Sequence, residues 1–293
     1  MSESLTKVCA LTGARGFVGS RLQARLQHAG WRVIPWTRQP DPGAEAVAFH
    51  LGDSVDASLL QGVDALVHCA YDFGPRRWGD IAAVNVAGSE KLFAAAQNAG
   101  VKSVVLISSI SAFTGCRSLY GRAKLRIEDS ARYLNGFVLR PGLVYGDNPG
   151  GMFGRLVAQV RNARFVPILW GGRQTQYLVH DEDLGHLVES CLAGRVPVGT
   201  GPIAVAHEQG WEVKEILTQI VRALDRRVSF LPVPWRLVWL GLKGLELAGG
   251  RPGFRSDSLI SMVYQNPNPS FALLRSLGFR CRPFQLAPDM LQS

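Results

Sequence analysis

The chain has 293 residues, of which 47% are hydrophobic and 19% are charged, and no tract is of low complexity. These values exclude a mini-protein and a largely disordered chain, and they predict a sizeable buried core. The formal net charge of +9 favours an anionic ligand, an acidic membrane surface or nucleic acid as partner, and nucleic acid ranks last because no RNA-binding aromatic motif accompanies the basic residues.

The cysteines and the first residues bear on the compartment. Five cysteines lie far apart, without a CxxC pair or a nearby histidine cluster, so the sequence predicts neither disulfides nor a metal site. The first residues lack the basic-then-apolar layout of a secretory signal, and Arg or Lys interrupts every apolar run before it reaches spanning length. We expect a soluble cytoplasmic protein.

The first half of the chain alternates short apolar runs with longer amphipathic segments. We predict strands over 7–12, 32–36, 47–50, 65–68, 103–108 and 137–140. We predict helices over 17–28, 82–98 and 119–133. Strands that are apolar on both faces and separated by helices indicate parallel crossovers, so the expected fold is an α/β doubly wound parallel sheet of the Rossmann type.

The second half is less regular, with Gly-rich and Pro-rich stretches after residue 140. A strand over 177–179 and a helix over 181–192 look like a return to the first sheet. The remainder is predicted to contain a strand over 203–206, a helix over 211–224 and an apolar helix over 235–248. We therefore expect a dinucleotide-binding domain of residues 1–145 plus about 176–198, and a smaller C-terminal substrate lobe of about 146–175 plus 199–293.

The sharpest local motif is TGARGFVG at residues 12–19, directly after a predicted strand and at the start of a helix. Glycines in this context allow a tight turn and a close backbone approach, so that the helix N-terminus holds a pyrophosphate. An ordinary glycine-rich turn is the less favoured alternative. The predicted cofactor-binding residues here are Gly13, Arg15, Gly16, Phe17, Val18 and Gly19.

The end of the second strand bears on the choice of dinucleotide. An NAD site normally places an Asp or Glu there to bind the ribose hydroxyls, whereas this chain has Thr37 followed by Arg38. A guanidinium pairs with a 2′-phosphate that a carboxylate would repel, so the sequence favours NADP, with NAD kept open. The alternative is that Arg38 is an ordinary solvated side chain.

Tyr120 and Lys124 are four residues apart on a predicted helix. This spacing puts both side chains on one face, where the ammonium is expected to lower the pKa of the phenol and prepare Tyr120 for proton transfer. Ser108, Ser109 and Ser111 end the fifth strand at its carboxyl end, where doubly wound folds bind ligands.

With these motifs the chain resembles the short-chain dehydrogenase/reductase superfamily, in its extended, NAD-dependent epimerase/dehydratase-like branch. Further motifs carry the resemblance: VHCA (67–70), NVAG (85–88), SSISAF (108–113), YGRAK (120–124), RPGLVYG (140–146) and LVHDEDL (178–184).

The resemblance implies roles for individual residues. Tyr120 would be the acid/base, Lys124 would hold the nicotinamide ribose, Ser109 would polarise the reacting oxygen, and Asn85 would support the site. The remaining implied cofactor contacts are Asp53 with Ser54 near the adenine, Cys69 and Ala70 beside the cofactor, and Leu143 with Val144 flanking the nicotinamide.

The chain also departs from the family pattern. Only eleven positions separate Ser109 from Tyr120, which predicts a trimmed substrate loop. One alignment of this loop selects Ser109 as the active-site hydroxyl, another selects Ile110, and Ser111 is the reserve candidate. Ile110 and Ser111 stand where sugar-nucleotide dehydratases of this branch carry an Asp-Glu pair, so dehydration is disfavoured.

Three features have plainer interpretations. His68 ends a buried strand and is expected to be packed in the sheet rather than catalytic. His180 and Asp183 lack a third metal ligand at suitable spacing and are expected to form a junction between the lobes. The helix over 235–248 is expected to be a packed helix of the substrate lobe, with binding to a membrane surface as the minor alternative.

The leading functional hypothesis is an NADP(H)-dependent oxidoreductase that transfers hydride between nicotinamide and a secondary alcohol or ketone on a nucleotide sugar. A nucleotide-sugar 4-epimerase with tightly bound cofactor is the first alternative, and a non-catalytic nucleotide sensor is the second. Steroid-like, flavonoid-like and lipid-linked substrates stay open, and a homodimer is compatible with all three hypotheses.

Overall fold

A computed structural model describes residues 6–250 and 254–291 of the chain, so the outermost boundaries of the predicted lobes, at residues 1 and 293, lie outside the described residues. The strands are β1 (Val8–Thr12), β2 (Arg32–Thr37), β3 (Val47–Ala48), β4 (Ala65–His68), β5 (Ser103–Ile107), β6 (Phe137–Pro141), β7 (Leu143–Tyr145), β8 (Phe165–Leu169), β9 (Thr175–His180), β10 (Ile203–Val205), β11 (Gly210–Glu212) and β12 (Ser229–Val233).

The α-helices are α1 (Phe17–His28), α2 (Trp78–Ile81), α3 (Ala87–Asn98), α4 (Leu119–Tyr133), α5 (Gly151–Asn162), α6 (Asp181–Leu192), α7 (Val213–Ala223), α8 (Trp235–Leu247), α9 (Ser256–Val263) and α10 (Ala272–Ser276). A π-helical turn, Ala82–Val86, joins α2 to α3, and short 3₁₀ turns occupy Ala57–Leu60, Trp170–Gly172 and Pro288–Leu291.

Seven parallel strands form the central sheet, in the order β10-β6-β5-β4-β1-β2-β3. Side chains alternate across it. Cys9 and Leu11 of β1 join one buried cluster with α1 and α6, whereas Ala10 joins a second cluster with α3 and α4. Because both faces are covered, the strands are apolar on both sides. The predicted doubly wound α/β fold is confirmed.

Two predicted strands belong to other sheets than expected. The strand predicted over 177–179 is β9, which pairs with β7 and β11 and does not return to the central sheet. The strand predicted over 203–206 was expected in the substrate lobe, whereas β10 pairs with β6 as the outer strand of the central sheet. Short strands such as these carry little local signal, and their partners are set by long-range packing.

A third buried cluster brings together α5, α7 and the strands β7, β8 and β9. There β8 and β12 form a two-stranded parallel ribbon. This cluster is formed by segments that follow β6 in the chain. The exact division of the chain into two lobes stays a prediction.

The strand order reverses between β1 and β4, because β2 and β3 lie on one side and β5 and β6 on the other. Thr12 at the end of β1 is in register with Trp36 of β2 and with His68 of β4. Three strands therefore end at the same level beside the reversal, which is where open α/β sheets bind ligands.

Candidate active site

A cleft of about 1130 Å³ opens at the carboxyl ends of β1, β2, β4 and β5. Of the predicted site residues, it is lined by Gly13, Arg15, Gly16, Phe17, Val18, Gly19, Thr37, Arg38, Cys69, Ala70, Ser109, Tyr120, Lys124, Leu143 and Val144. The predicted glycine turn and the predicted Tyr-Lys pair thus belong to one continuous cavity. Its volume is large enough for an extended dinucleotide together with a small substrate.

The glycine turn between β1 and α1 is closely packed. Gly13 has a φ of +69°, and a Cβ there would lie 2.9 Å from the backbone nitrogen of Ala70. A Cβ on Gly19 would lie 2.2 Å from the carbonyl oxygen of Gly13. The first turn of α1 lines the cleft with Phe17, Val18 and Gly19 and holds no acidic side chain. Its free N–H groups and the positive end of its dipole therefore suit an anionic group in the cleft.

A buried hydrogen-bond network fixes the loop after β4. His68 bonds through Nδ1 to the Thr12 hydroxyl at 2.7 Å and through Nε2 to the Ser89 hydroxyl at 2.9 Å. The Thr12 oxygen also accepts bonds from the backbone N–H groups of Cys69 and Ala70, both at 3.2 Å. Burial lowers the pKa of His68 to about 3, so the ring is neutral and structural, as its place at a strand end suggested.

Asn85 lies in the π-helical turn and is fully buried. Its side chain accepts a bond from the backbone N–H of Asp72 at 2.7 Å and donates to the carbonyl oxygen of Asp72 at 3.0 Å. Asn85 itself does not line the cleft, but the loop that it holds does. Its contribution is therefore to position residues 71–73, and π turns of this kind are frequent at functional sites.

The three candidate serines have different partners. The hydroxyl of Ser108 donates to Glu128, which also accepts a bidentate ion pair from Arg140 with bonds of 2.9 and 2.5 Å. The hydroxyl of Ser111 accepts a bond from Ser261 at 3.0 Å. Ser109 is the serine that forms a hydrogen bond with the phenol of Tyr120. The geometry thus favours Ser109 among the residues that the sequence left open.

Tyr120 lies between two aromatic side chains. Its ring meets Tyr71 edge-on at 4.9 Å between centroids and stacks on Phe73 at 5.7 Å. Burial raises the pKa of Tyr120 to about 12, and the hydrogen bond with Ser109 acts in the opposite direction. The expected lowering of the phenol pKa by Lys124 is wrong, because burial raises this pKa and the opposing effect comes from Ser109.

Lys124 is buried one helical turn after Tyr120. Its Nζ donates to the carbonyl oxygen of Ile107 at 2.9 Å and lies 5.3 Å from the centre of the Tyr71 ring. Burial lowers the pKa of Lys124 to about 8, and the nearby Cys69 and Glu128 act in the opposite direction. The side chain is therefore still largely an ammonium at neutral pH, with two remaining N–H groups for a ligand in the cleft.

The far end of the cleft carries cationic and polar groups. Thr37 is buried, and its hydroxyl has no hydrogen-bond partner among the residues that the structure describes. Arg38 beside it is exposed, and Arg15 forms an exposed ion pair with Asp41 at 2.6 Å. Two predicted adenine contacts, Asp53 and Ser54, are exposed and do not line the cleft, whereas His50 and Leu51 of the same loop do.

The sequence did not reveal the contribution of α9. Asp257 accepts bonds from the backbone N–H groups of Leu119 at 2.7 Å and Tyr120 at 3.0 Å, and so caps the helix that carries Tyr120. Arg255 donates to the carbonyl oxygens of Phe73 and Pro75. A polar RSDS run marks the start of a helix, but no local signal shows that it contacts residues more than 130 positions earlier.

His180 and Asp183, which were predicted to form a junction between the lobes, do not line the cleft. His180 caps α6 by accepting a bond from the N–H of Glu182, and Asp183 pairs with Arg282 at 2.9 Å. Among the described residues there is no group of three His, Cys, Asp or Glu side chains placed to hold a metal ion.

The family model "NAD dependent epimerase/dehydratase family" matches residues 9–193. A ceramide reductase of Caulobacter vibrioides is 28% identical in an alignment of 249 positions that covers 80% of this chain and 76% of that protein. A dTDP-4-dehydro-6-deoxy-D-allose reductase of a Streptomyces species is 28% identical in an alignment of 226 positions that covers 59% of this chain and 69% of that protein.

Solved structures show the same fold. MoeE5 in complex with UDP-glucuronic acid and NAD aligns with a TM-score of 0.72 at 21% identity, over 95% of this chain and 94% of that one. A UDP-glucose 4-epimerase of Thermotoga maritima aligns with a TM-score of 0.74 at 16% identity, over 97% of this chain and 96% of that one. At these identities the likeness is one of fold.

Proposed function

The chain belongs to the NAD dependent epimerase/dehydratase family, in the extended branch of the short-chain dehydrogenases/reductases, and is thus an NAD(P)-dependent enzyme; from this premise we propose that it is an NADP(H)-dependent reductase of a ketone. The observation that carries the proposal is the single cleft in which the glycine turn and helix N-terminus lie at one end and the Ser109, Tyr120 and Lys124 side chains at the other.

The residues of the cleft fit a dinucleotide. Because Gly13 and Gly19 have no Cβ, the backbone of the turn packs closely against its neighbours. The open N-terminus of α1 suits a pyrophosphate. The unpartnered hydroxyl of Thr37 is a buried polar atom in need of a ligand, and a ribose hydroxyl would satisfy it. When bound, the nicotinamide supplies or accepts the hydride.

The chain's own residues move and stabilise the proton. At neutral pH the Tyr120 phenol is protonated, since its pKa is raised to about 12. It can therefore donate a proton to a carbonyl oxygen that gains negative charge as a hydride reaches the carbon. Ser109 is placed to donate a second hydrogen bond to that oxygen, and Lys124 offers its free N–H groups to a ribose in the cleft. A neutral phenol suits the reduction of a ketone.

The proposed preference for NADP(H) rests on Arg38. Its guanidinium lies exposed at the cleft beside Thr37, without an ion pair to any residue in 6–250 or 254–291. Arg15 is less available because Asp41 already pairs with it.

Arg38→Ala is expected to weaken NADPH binding by about 1.5–3 kcal/mol, the range for hydrogen bonds to charged groups, and to leave NADH binding nearly unchanged. Fluorescence titration of both cofactors measures this. Equal losses for NADPH and NADH would show that Arg38 does not contact a 2′-phosphate.

For the substrate we propose a 4-keto nucleotide sugar, supported by the nucleotide sugars named in the structures of similar fold and by a relative that reduces one. A lipid ketone is the alternative, because another relative is a ceramide reductase. Ile110 and Ser111 offer no carboxylate beside Ser109, which argues against dehydration.

We also propose a cytoplasmic location, since all five cysteines are free thiols.

A nucleotide-sugar 4-epimerase is the second candidate, because an epimerase has the same fold. A reductase releases oxidised cofactor after each turnover, whereas an epimerase returns its cofactor to the starting state. With a 4-keto nucleotide sugar, the protein is expected to consume one NADPH per product formed, measured by absorbance and chromatography. Interconversion of two C4 epimers without a change in NADPH absorbance would instead assign the epimerase activity.

Failure to turn over any ketone, with intact cofactor binding, would favour a nucleotide sensor. The grouping of Ser109, Tyr120 and Lys124 in the cleft argues against this third candidate, because a sensor has no need of a proton donor beside the nicotinamide end of the cleft.

A further inference from the structure

Helix α8 exposes an apolar face. None of its thirteen residues is buried, although it is rich in leucine and tryptophan. Leu237, Leu240 and Leu247 are 63%, 59% and 77% exposed, and Leu245 is also exposed. At helical spacing, Gly241 and Gly244 lie on the same side as Leu237 and Leu240, so the side of α8 that faces away from the protein is formed almost entirely by apolar residues.

Two of the three charged residues of α8 do not interrupt this face, and the third, Arg236, is exposed at its edge. Glu246 is turned inward, where it accepts bonds from the N–H and the hydroxyl of Ser256 at 2.8 and 2.7 Å. Lys243 and the two tryptophans, Trp235 and Trp239, are half-buried on the inward side. This order is the reverse of an ordinary surface helix, in which the polar residues face the solvent.

Cations lie near both ends of α8. Arg236 is exposed beside it, and Arg117 stacks over the ring of Tyr264 at 4.2 Å, which in turn meets Trp235 at 5.8 Å. At the other end, Arg76 donates to the carbonyl oxygen of Glu246 at 2.9 Å. The one carboxylate of α8, that of Glu246, is turned inward towards Ser256, whereas Arg236 is exposed, so the charge presented beside this face is positive.

We propose that the exposed face of α8 docks onto an anionic lipid bilayer. The leucines would enter the boundary between headgroups and acyl chains, with the exposed arginines at headgroup level. No helix in the described ranges, 6–250 and 254–291, is long and apolar enough to cross a membrane, and α8, at about 20 Å, matches a helix that lies in the interface.

Charge decides between a membrane and a second copy of the chain. In a symmetric dimer the same patch meets itself, which would bring two cationic rims together around the leucines, while the one acidic side chain of α8, Glu246, is turned inward towards Ser256. Anionic headgroups supply that neutralisation. The face also adjoins the cleft, because α9 both packs against α8 through Ser256 and lines the cleft with Ser258, Ser261 and Met262.

Sedimentation with lipid vesicles tests the proposal. The protein is expected to bind vesicles of phosphatidylcholine and phosphatidylglycerol and to bind phosphatidylcholine alone far more weakly. The double variant Leu237→Glu/Leu240→Glu should lower binding at least about tenfold. The matched control is Leu59→Glu, which changes an exposed leucine elsewhere and should bind as the unchanged protein does.

A second pair of substitutions tests the cations. Arg117→Gln/Arg236→Gln should weaken binding to the anionic vesicles by about fivefold per arginine removed and leave binding to neutral vesicles unchanged. Melting temperatures confirm that each variant is folded.

The proposal is overturned if the unchanged protein does not bind anionic vesicles, or if the leucine double variant binds them equally well. It is also overturned if sedimentation velocity shows a dimer that the leucine double variant dissociates, because the face then belongs to a second copy. Vesicle binding needs neither cofactor nor substrate, so its failure would leave the proposed reductase activity untouched.

Discussion

Tyr120→Phe is expected to lower ketone turnover by at least ~10²-fold, the lower end of what a positioned proton donor contributes. The substitution keeps the ring, and with it the packing against Tyr71 and Phe73, but it removes the hydroxyl that Ser109 contacts. Steady-state kinetics with NADPH and the reducible substrate measure the loss in kcat, and a cofactor titration is expected to give an unchanged dissociation constant.

Tyr133→Phe is the matched control for this experiment. Tyr133 ends the same helix, α4, and is highly exposed, so the same chemical change there should leave kcat within the error of measurement. Near-normal turnover of Tyr120→Phe would mean that the proton comes from another group, and the assignment of Ser109 as its partner would then lose its basis.

The pKa of Tyr120 also predicts a direction for the pH profile. Because burial raises this pKa to about 12, the phenol stays protonated across neutral and mildly alkaline pH, so it does not limit reduction there. Lys124, whose pKa burial lowers to about 8, titrates first. The sequence led us to expect the opposite for Tyr120, since the spacing shows that Lys124 is on the same helix face but does not show how far burial removes solvent from the phenol.

The central sheet was predictable because each strand carries its own evidence. ALVH of β4 is wholly buried, and such short apolar runs between amphipathic helices are typical of parallel strands covered on both faces. The strands β9 and β10 were misplaced because three to six residues do not encode which neighbour they pair with. Pairing depends on contacts such as that of Ile203 with Leu139, 64 positions apart.

For the site too, local sequence patterns were predictable and long-range contacts were not. The glycine turn and the Tyr120–Lys124 pair are local patterns, and both lie in the cleft. The choice of Ser109 over Ser108 and Ser111 depends on partners that lie on other elements, namely Glu128 and Ser261. Asp257, which caps α4 from a distant helix, has no sequence signature, because its role depends on a contact between segments 137 and 138 positions apart.

Gly19→Ala is expected to lower cofactor affinity by up to about 3 kcal/mol, the upper end of the strain that an added methyl group causes in a packed site. That corresponds to roughly 150-fold in the dissociation constant. The new Cβ would lie 2.2 Å from the Gly13 carbonyl oxygen and 2.8 Å from its carbon. Both are backbone atoms, which cannot rotate away as a flexible side chain would.

The collision in Gly19→Ala should affect both folding and binding. The turn is held by the bonds from the N–H of Gly16 to the carbonyl oxygen of Gly13 and from the N–H of Gly13 to the carbonyl oxygen of Trp36, so the melting temperature of the free protein should fall. Relief of the collision would separate the turn from the helix N-terminus, which the pyrophosphate needs close together. The rise in melting temperature on adding cofactor should therefore shrink. Gly79→Ala, in α2 with nothing within 4 Å of the added Cβ, is the control and should keep the full rise. An unchanged cofactor affinity in Gly19→Ala would show that the phosphates do not bind at this turn.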